Sequence, residues 1–229
     1  MSTPAFIERL RAGELTLMLG VRLADPRPIR LAHQSGHHAV LIDLEHSTMS
    51  LAEAGQLCGV ARDVGVTPFV RIREGDYGSV TPLRDCGADG YFVPGIKTAE
   101  HAARAVAACR PSLVHILLET PEGVANAATI AAIPGVDLLV LGANDFTAEL
   151  GIPGCYDDPR LAEAVQTLNR VGLAHDTPVM LGGIADLSVL SKFQVCPLVL
   201  TGMDTALLTA AVHARAEQVK TWWKEKNGQ

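Results

Sequence analysis

The stretch LVHILLETPEGVANAATIAAIPGVDLLVLGAND (113–145) contains two apolar runs separated by a segment long enough for a loop and a helix. The first run, LVHILLE (113–119), and the second, DLLVLGA (137–143), are nearly continuous in Val, Ile and Leu. Runs of this kind are typical of parallel strands that are covered by protein on both faces. The stretch therefore predicts one strand–helix–strand unit of a parallel sheet.

The same unit recurs along the chain, which contains eight apolar runs. They lie at 15–21, 39–45, 67–72, 90–95, 113–119, 137–143, 178–183 and 197–202. Segments with helical periodicity lie at 50–65, 98–110, 159–175 and 204–226. Eight β–α pairs favour a (β/α)8 TIM barrel, and we expect residues 1–229 to form this single domain. A doubly wound open sheet is the alternative fold, although the glycine loops G-x-G-x-x-G and G-x-x-x-x-G-K-[ST] do not occur in the sequence.

The composition disfavours several functional classes. The net charge is −6, and only 2 Trp, 3 Tyr and 5 Phe are present, which argues against a nucleic-acid-binding surface. No apolar run approaches the roughly 20 residues that a membrane-spanning helix needs. The N-terminal residues show no signal-peptide core, and the five scattered cysteines form no C-x-x-C motif. We therefore expect a cytoplasmic protein without nucleic-acid or membrane partners.

Several predicted strands run into polar side chains at their carboxyl ends, which form the active-site face of a TIM barrel. Because all eight carboxyl ends meet at that face, we expect these side chains to share a pocket. They are Asp43, Glu45 and His46 at the second run, Arg71 in the third, Glu119 in the fifth, and Asn144 and Asp145 after the sixth.

Glu119 and Asp145 are the most informative pair, because each follows an apolar strand on which an unpaired carboxylate is costly to bury. Two carboxylates on neighbouring strands, without cysteine or histidine beside them, suit a hard divalent cation such as Mg²⁺ or Mn²⁺. The sequence is equally compatible with each carboxylate capping a helix or pairing with a local arginine.

Arg71 and His46 are candidates for charge stabilisation and proton transfer. A guanidinium at the barrel mouth needs an anionic partner, which is Asp43, Glu45 or a substrate oxyanion. A histidine at this position has the pKa range of a general base, and an ordinary hydrogen-bonded histidine is the alternative. Arg22 follows the first strand and is a further candidate to face the barrel mouth, although nothing near it in the sequence defines its role.

The order of these motifs resembles the HpcH/HpaI aldolase/citrate lyase family of metal-dependent pyruvate aldolases. The resemblance extends from about residue 5 to residue 215. The matching segments are LIDLEH (41–46), PFVRI (68–72), GADG (87–90), VPG (93–95), LET (118–120), GANDF (142–146) and GMDT (202–205).

The resemblance implies a barrel enzyme that binds a divalent cation, Mg²⁺, Mn²⁺ or Co²⁺, and stabilises an enolate of the pyruvate type. Glu119 and Asp145 would bind the metal. Arg71 would bind the keto oxygen, and His46, paired with Asp85, would transfer the proton at the aldol carbon. The substrates would be a small 2-oxo acid and an aldehyde.

The family also implies a substrate site and an assembly. Arg71, Asp43 and the backbone at Gly142, Ala143 and Asn144 would bind the organic acid. Family members are commonly hexamers, or trimers of dimers, in which the C-terminal helix, here about 205–224, is exchanged between subunits. We therefore expect a homo-oligomer.

Two departures from the family pattern leave alternatives to an active aldolase. Residues 109–112 run directly into the fifth strand, where typical members carry a longer segment with a Gly-x-Arg-Gly motif. Leu117 stands where typical members have Gln. A metal-dependent C–C lyase remains the predicted function. A non-catalytic or altered barrel and a citrate- or malate-type lyase acting on a thioester are the alternatives.

Overall fold

A computed structural model describes residues 3–184, 186–193 and 195–227, and the eight predicted strands all form. They are β1 Thr16–Val21, β2 Ala39–Asp43, β3 Thr67–Arg71, β4 Gly90–Val93, β5 Leu113–Leu118, β6 Leu138–Gly142, β7 Val179–Gly182 and β8 Leu198–Met203. All the pairings are parallel, and the order is β7-β6-β5-β4-β3-β2-β1-β8. The two ends of this sheet approach each other, where the Cys196 backbone N donates to the Val179 carbonyl at 2.7 Å. The predicted barrel is confirmed, and the sequential order rules out a doubly wound sheet.

Helices connect the strands, and the four predicted helical segments form within two residues of their expected ends. The helices are α1 Thr3–Arg11, α2 Arg27–Gln34, α3 Leu51–Asp63, α4 Val80–Asp85, α5 Ala99–Cys109, α6 Pro121–Ala125, α7 Ala127–Ala131, α8 Ala143–Glu149, α9 Pro159–His175, α10 Leu187–Leu190 and α11 Asp204–Asn227. Side-chain caps define several starts. Ser50 and Glu53 form a capping box at α3, and Thr98 accepts a hydrogen bond from the His101 backbone N at α5.

Two apolar layers hold the barrel together. The outer layer lies between the strands and the surrounding helices, and the inner layer fills the barrel interior. Alternation of side chains along each strand produces this division. Helix α1 inserts Phe6, Ile7 and Leu10 into the inner layer, so it closes the end of the barrel opposite the carboxyl ends of the strands.

The C-terminal helix α11 differs from the other long helices, because it leaves the barrel after its first residues. Every side chain from Ala206 to Asn227 is exposed, and Asp204 is its only described buried residue. None of the described helices combines the length and apolarity that crossing a membrane requires.

His115 lies in the inner layer of the barrel and is fully buried. Its ring centroid is 4.8 Å from that of Phe69 and 4.6 Å from that of Phe92, and neither ring nitrogen has a described hydrogen-bond partner. Because burial disfavours the charged imidazolium, the pKa of His115 is lowered to about 3.

We predict that His115 makes folding sensitive to acid. The unfolded chain takes up the proton near pH 6.5, whereas the folded chain keeps His115 neutral down to about pH 3. Stability is therefore lost as pH falls below the unfolded pKa, and at pH 5 this linkage amounts to about 2 kcal/mol. The free energy of unfolding can be measured by urea denaturation at pH 7.5 and at pH 5. Its decrease between these two pH values should be about 2 kcal/mol smaller in His115→Leu than in the wild type.

His33→Gln is the matched control, because His33 is exposed on α2. It should show the same acid sensitivity as the wild type. Equal acid sensitivity of His115→Leu and the wild type would contradict the prediction.

Candidate active site

A cavity of about 520 Å³ opens at the carboxyl ends of the strands. Its floor is the apolar interior of the barrel, including Leu117 and Met180, and its rim is polar. Six of the residues predicted for the site line it, namely His46, Arg71, Glu119, Gly142, Asn144 and Asp145. The structure therefore places these six residues in one cavity, while their chemical roles remain predictions.

Asp43, at the end of β2, organises the basic side of this cavity although it is fully buried beneath it. Its Oδ2 atom accepts hydrogen bonds from Arg71 Nη2 at 2.7 Å and Arg22 Nε at 2.8 Å. Its Oδ1 atom accepts from Arg71 Nε at 2.9 Å and from the backbone N of Glu45 and His46, at 3.1 and 3.2 Å. One carboxylate thus positions two guanidinium groups and the turn that carries His46.

The charge of Asp43 is stabilised by these contacts. Burial alone would raise the pKa of this carboxyl, but the hydrogen bonds and charges of Arg71 and Arg22 outweigh it and lower the pKa to about 2. Both oxygens are fully used, and Asp43 is not among the described residues that line the cavity. The expectation that Asp43 itself contacts the substrate is therefore not supported. The side chain lies beneath the cavity, where it orients Arg22 and Arg71.

Arg71 has two carboxylate partners, Asp43 and Glu45, which are two of the three partners that the sequence left open. Besides its two bonds to Asp43, its Nη1 lies 3.2 Å from Glu45 Oε2. Burial raises the pKa of Glu45, and the charge of Arg71 opposes that rise. Arg71 remains at the cavity wall, held in one orientation by Asp43 and Glu45.

Glu119, directly after β5, is a mostly buried carboxylate for which the described residues provide no ion pair. The Gly95 backbone N donates to its Oε2 at 3.3 Å. Burial first, and then the charges of Glu45 and Asp145, raise the pKa of Glu119 to about 7, although this hydrogen bond and Arg71 oppose the rise. Burial and two neighbouring carboxylates therefore disfavour the charged form of Glu119.

A glycine allows Glu119 to occupy this position. A Cβ atom at Gly142, the last residue of β6, would lie 2.8 Å from Glu119 Cγ and 3.2 Å from Glu119 Oε1. Any larger residue at 142 would displace the carboxylate from the space beside β6. The close approach explains a glycine at a strand end where the backbone itself is ordinary, with a φ of −79°.

Asp145, in the first turn of α8, brings a second carboxylate to the same cavity. It is exposed, and the described part of the chain contains no ion pair or side-chain hydrogen bond to it. The described residues form no cluster of three or more His, Cys, Asp or Glu that would enclose a metal by themselves. Two unpaired carboxylates in a field that lacks positive charge fit a divalent cation with coordination positions left for water and substrate.

His46 and Asp85 differ in their position relative to the cavity. His46 lines the cavity, half-exposed, with its Nε2 3.9 Å from Glu45 Oε2. Asp85 is exposed at the last position of α4, which runs from the carboxyl end of β3 towards the amino end of β4. Asp85 is not among the described residues that line the cavity, so its pairing with His46 stays a prediction.

The segment after β6 is only partly available to a ligand. Gly142 and Asn144 line the cavity, whereas Ala143 is fully buried behind them. The Asn144 side-chain oxygen accepts a hydrogen bond from the Tyr156 hydroxyl, which holds the amide in place.

The sequence left open what Arg22 does at the barrel mouth, and it did not predict that the end of β8 contributes to the cavity. Arg22 lines the wall, and its backbone N and that of Leu23 donate to the Asp204 carboxylate at 3.0 and 3.1 Å. Met203 and Leu207 form an apolar wall beside it. The sequence feature that could have indicated the contribution of β8 is the acidic Asp204, which directly follows an apolar strand.

Replacing Asp43 with Asn should destabilise the protein, because Arg22 and Arg71 would lose the carboxylate that they share. Removing one partner of a buried ion pair costs about 3–5 kcal/mol of unfolding free energy. Chemical denaturation at pH 7 measures this loss. Asp157→Asn is the control, because Asp157 pairs with Lys192 on the surface, where such pairs contribute about 0–1 kcal/mol. A similarly small loss in both variants would contradict the role of Asp43.

Comparison with known proteins agrees with this geometry. The chain is 29% identical over 236 residues to a 4-hydroxy-4-methyl-2-oxoglutarate aldolase of Hapsidospora irregularis, covering 86% of this chain and 87% of the relative. It is 29% identical over 248 residues to a hydroxypyruvate/pyruvate aldolase of Pseudomonas aeruginosa, covering 94% and 92%. The solved HpcH/HpaI aldolase from Desulfitobacterium hafniense has the same fold, with a TM-score of 0.83 at 23% identity over 93% of this chain and 95% of that one. The model of one family, HpcH/HpaI aldolase/citrate lyase, matches residues 16–180, which is more than half of the chain. The protein therefore belongs to the HpcH/HpaI aldolase/citrate lyase family.

Proposed function

We propose that the protein is a divalent-metal-dependent aldolase, a carbon–carbon lyase that cleaves or forms aldols of a small 2-oxo acid. The observation that carries the proposal is the pair of unpaired carboxylates, Glu119 and Asp145, in one cavity with a preorganised guanidinium, Arg71. The relatives named above are aldolases that act on 4-hydroxy-4-methyl-2-oxoglutarate and on hydroxypyruvate or pyruvate. Their chemistry matches a cavity that combines a cation site with a cationic side chain.

Glu119 and Asp145 would hold the metal through their carboxylate oxygens. A bound Mg²⁺, Mn²⁺ or Co²⁺ would act as a Lewis acid on the keto group of the substrate. Glu119 is suited to this role because its environment disfavours its charge until a cation is near. A mostly buried carboxylate without a partner is costly, and its retention favours a functional role over the alternative of a non-catalytic barrel.

The residues of the chain itself would then complete the reaction. In the cleavage direction the C3–C4 bond of the aldol breaks, its electron pair moves towards the C2 keto oxygen, and the C4 hydroxyl loses its proton. Arg71 supplies fixed positive charge where the oxygen becomes negative. His46 is the candidate acceptor of the hydroxyl proton. Gly142 and Asn144 line the wall available to the substrate carboxylate.

Replacing either carboxylate should remove metal-dependent activity. We expect Glu119→Gln and Asp145→Asn each to lower kcat/KM for retro-aldol cleavage by about 100-fold or more, because the lost charge stabilisation amounts to several kcal/mol. Chelator-treated wild-type protein should lose activity and regain it with Mn²⁺. Titration with Mn²⁺ followed by electron paramagnetic resonance should show weakened binding in both variants.

Glu122→Gln is the matched control, because Glu122 is exposed on α6 three residues after Glu119. It should leave both metal binding and turnover unchanged. Full activity of the wild type in the presence of chelator, or unchanged Mn²⁺ binding by Glu119→Gln, would contradict the proposal.

We further propose that the protein is a cytoplasmic homo-oligomer, a hexamer or trimer of dimers, in which α11 packs against another subunit. The support is the exposure of large apolar side chains along one helix that its own barrel does not cover. These are Leu207, Leu208, Val212, Val219, Trp222 and Trp223. Apolar surface of this extent is typical of a subunit interface.

A double substitution tests this assembly. Leu208→Glu with Trp222→Glu should reduce the molar mass measured by size-exclusion chromatography with light scattering, because charges would be forced into an apolar interface. Leu173→Glu is the control, since Leu173 is an exposed leucine on α9, remote from α11 in sequence. A monomeric wild type, or an unchanged mass of the double variant, would contradict the assembly.

A further inference from the structure

Arg22 is held in one orientation from two sides. Its backbone N, together with that of Leu23, donates to the buried carboxylate of Asp204, which fixes the turn after β1. Its side chain is fixed by the bond from Nε to Asp43 Oδ2 at 2.8 Å. The guanidinium is therefore positioned before any ligand arrives.

The terminal nitrogens of Arg22 are available to a ligand. Within the described part of the chain, the hydrogen bonds of the side chain involve Nε alone, and the side chain lines the cavity at 31% exposure. Arg71 differs, because its Nε and Nη2 bond to Asp43 and its Nη1 faces Glu45. The planar Nη1–Nη2 edge of Arg22 matches the geometry of a carboxylate.

The surroundings of Arg22 favour an anion over a neutral polar group. Gly20 of β1 pairs with Met203 of β8, and Met203 and Leu207 line the same part of the cavity. An aldehyde rich in hydroxyl groups would meet few partners on this apolar wall. A carboxylate would meet a fixed positive charge next to low-dielectric surface, where the interaction is stronger.

Arg22 is also near enough to the reaction centre to contact the far end of a short substrate. Arg22 and Arg71 donate to the same oxygen of Asp43, so their guanidinium groups are neighbours. A substrate whose keto oxygen faces Arg71 extends only a few bonds before it reaches Arg22.

We propose that Arg22 determines specificity by binding a second carboxylate on the electrophile end of the aldol, so that the preferred substrates are 2-oxo dicarboxylic acids. This inference rests on the proposed aldolase function and names its substrate class. The aldehyde or ketone released on cleavage would then carry a carboxylate of its own.

Cleavage of two matched aldols tests the proposal. 4-Hydroxy-2-oxoglutarate carries a carboxylate on C4, and 4-hydroxy-2-oxopentanoate carries a methyl group there. We expect the wild type with Mn²⁺ to prefer the dicarboxylate by about 10- to 100-fold in kcat/KM, the range of one charge-assisted interaction. Arg22→Gln should lose this preference, mainly because KM for the dicarboxylate rises more than KM for the methyl analogue, and Arg22→Lys should recover part of it.

Arg27→Gln is the matched control, because Arg27 is an exposed arginine on the neighbouring α2 that pairs with Asp25. It should keep the wild-type preference. Equal turnover of the two aldols by the wild type, or an equal loss on both in Arg22→Gln, overturns the assignment of Arg22 while the aldolase function stands.

A binding measurement separates this inference from the aldolase function. 2-Oxoglutarate and 2-oxopentanoate lack the C4 hydroxyl and cannot undergo retro-aldol cleavage. Calorimetry should show tighter binding of 2-oxoglutarate to the wild type, and no difference between the two acids in Arg22→Gln. If the wild type cleaves neither aldol but retains this Arg22-dependent difference, the aldolase function is wrong and the carboxylate site is supported. If the difference is absent, the carboxylate site is overturned.

Discussion

The buried carboxylate of Asp43 is the constraint on which the cavity depends. It ties the ends of β1, β2 and β3 together by accepting hydrogen bonds from Arg22 and Arg71 and from the turn that carries His46. Two guanidinium groups at one site would repel each other without a shared anion. Because the arrangement is made inside the protein, the positive charge is already oriented when a ligand enters, and little reorganisation is needed at that moment.

On the opposite side of the cavity, the charged side chains are not paired within the chain that the structure describes. Around Asp43 the charges are satisfied by the chain, whereas Glu119 and Asp145 have no cationic partner among the described residues. Burial first, and then the neighbouring carboxylates, raise the pKa of Glu119 to about 7. The charges on one side of the cavity are neutralised by the chain, and the other side lacks positive charge. Such a cavity favours the binding of a cation together with an anionic organic molecule. The asymmetry is therefore the physical basis for the proposed metal-assisted chemistry.

The sequence predicted the barrel and six of the residues that line the cavity, because both follow from local patterns. Each buried strand is a continuous apolar run, and barrel topology brings strand ends such as Glu119 and Asp145 to one face. What it did not predict depends on the relative placement of distant segments. The sequence left Asp43, Glu45 and a substrate oxyanion open as partners of Arg71, because the β2–β3 register that places Asp43 opposite Arg71 was not deducible from either run alone. The position of Asp85 depended on the direction of α4, and the apolar surroundings of His115 depended on the insertion of α1.

The beginning of α11 links substrate recognition to the part of the protein that leaves the barrel. Asp204 starts α11 and fixes the backbone of Arg22. Within the next turn, Leu207 contributes to the cavity wall. From Ala206 to Asn227 the helix is exposed in the described part of the chain, so its direction is set by its first residues and by any subunit that packs against it. Contacts that orient α11 would act on the wall beside Arg22 directly, whereas they would reach Glu119 only across the width of the cavity. Assembly would therefore influence the choice of electrophile more than the binding of the metal.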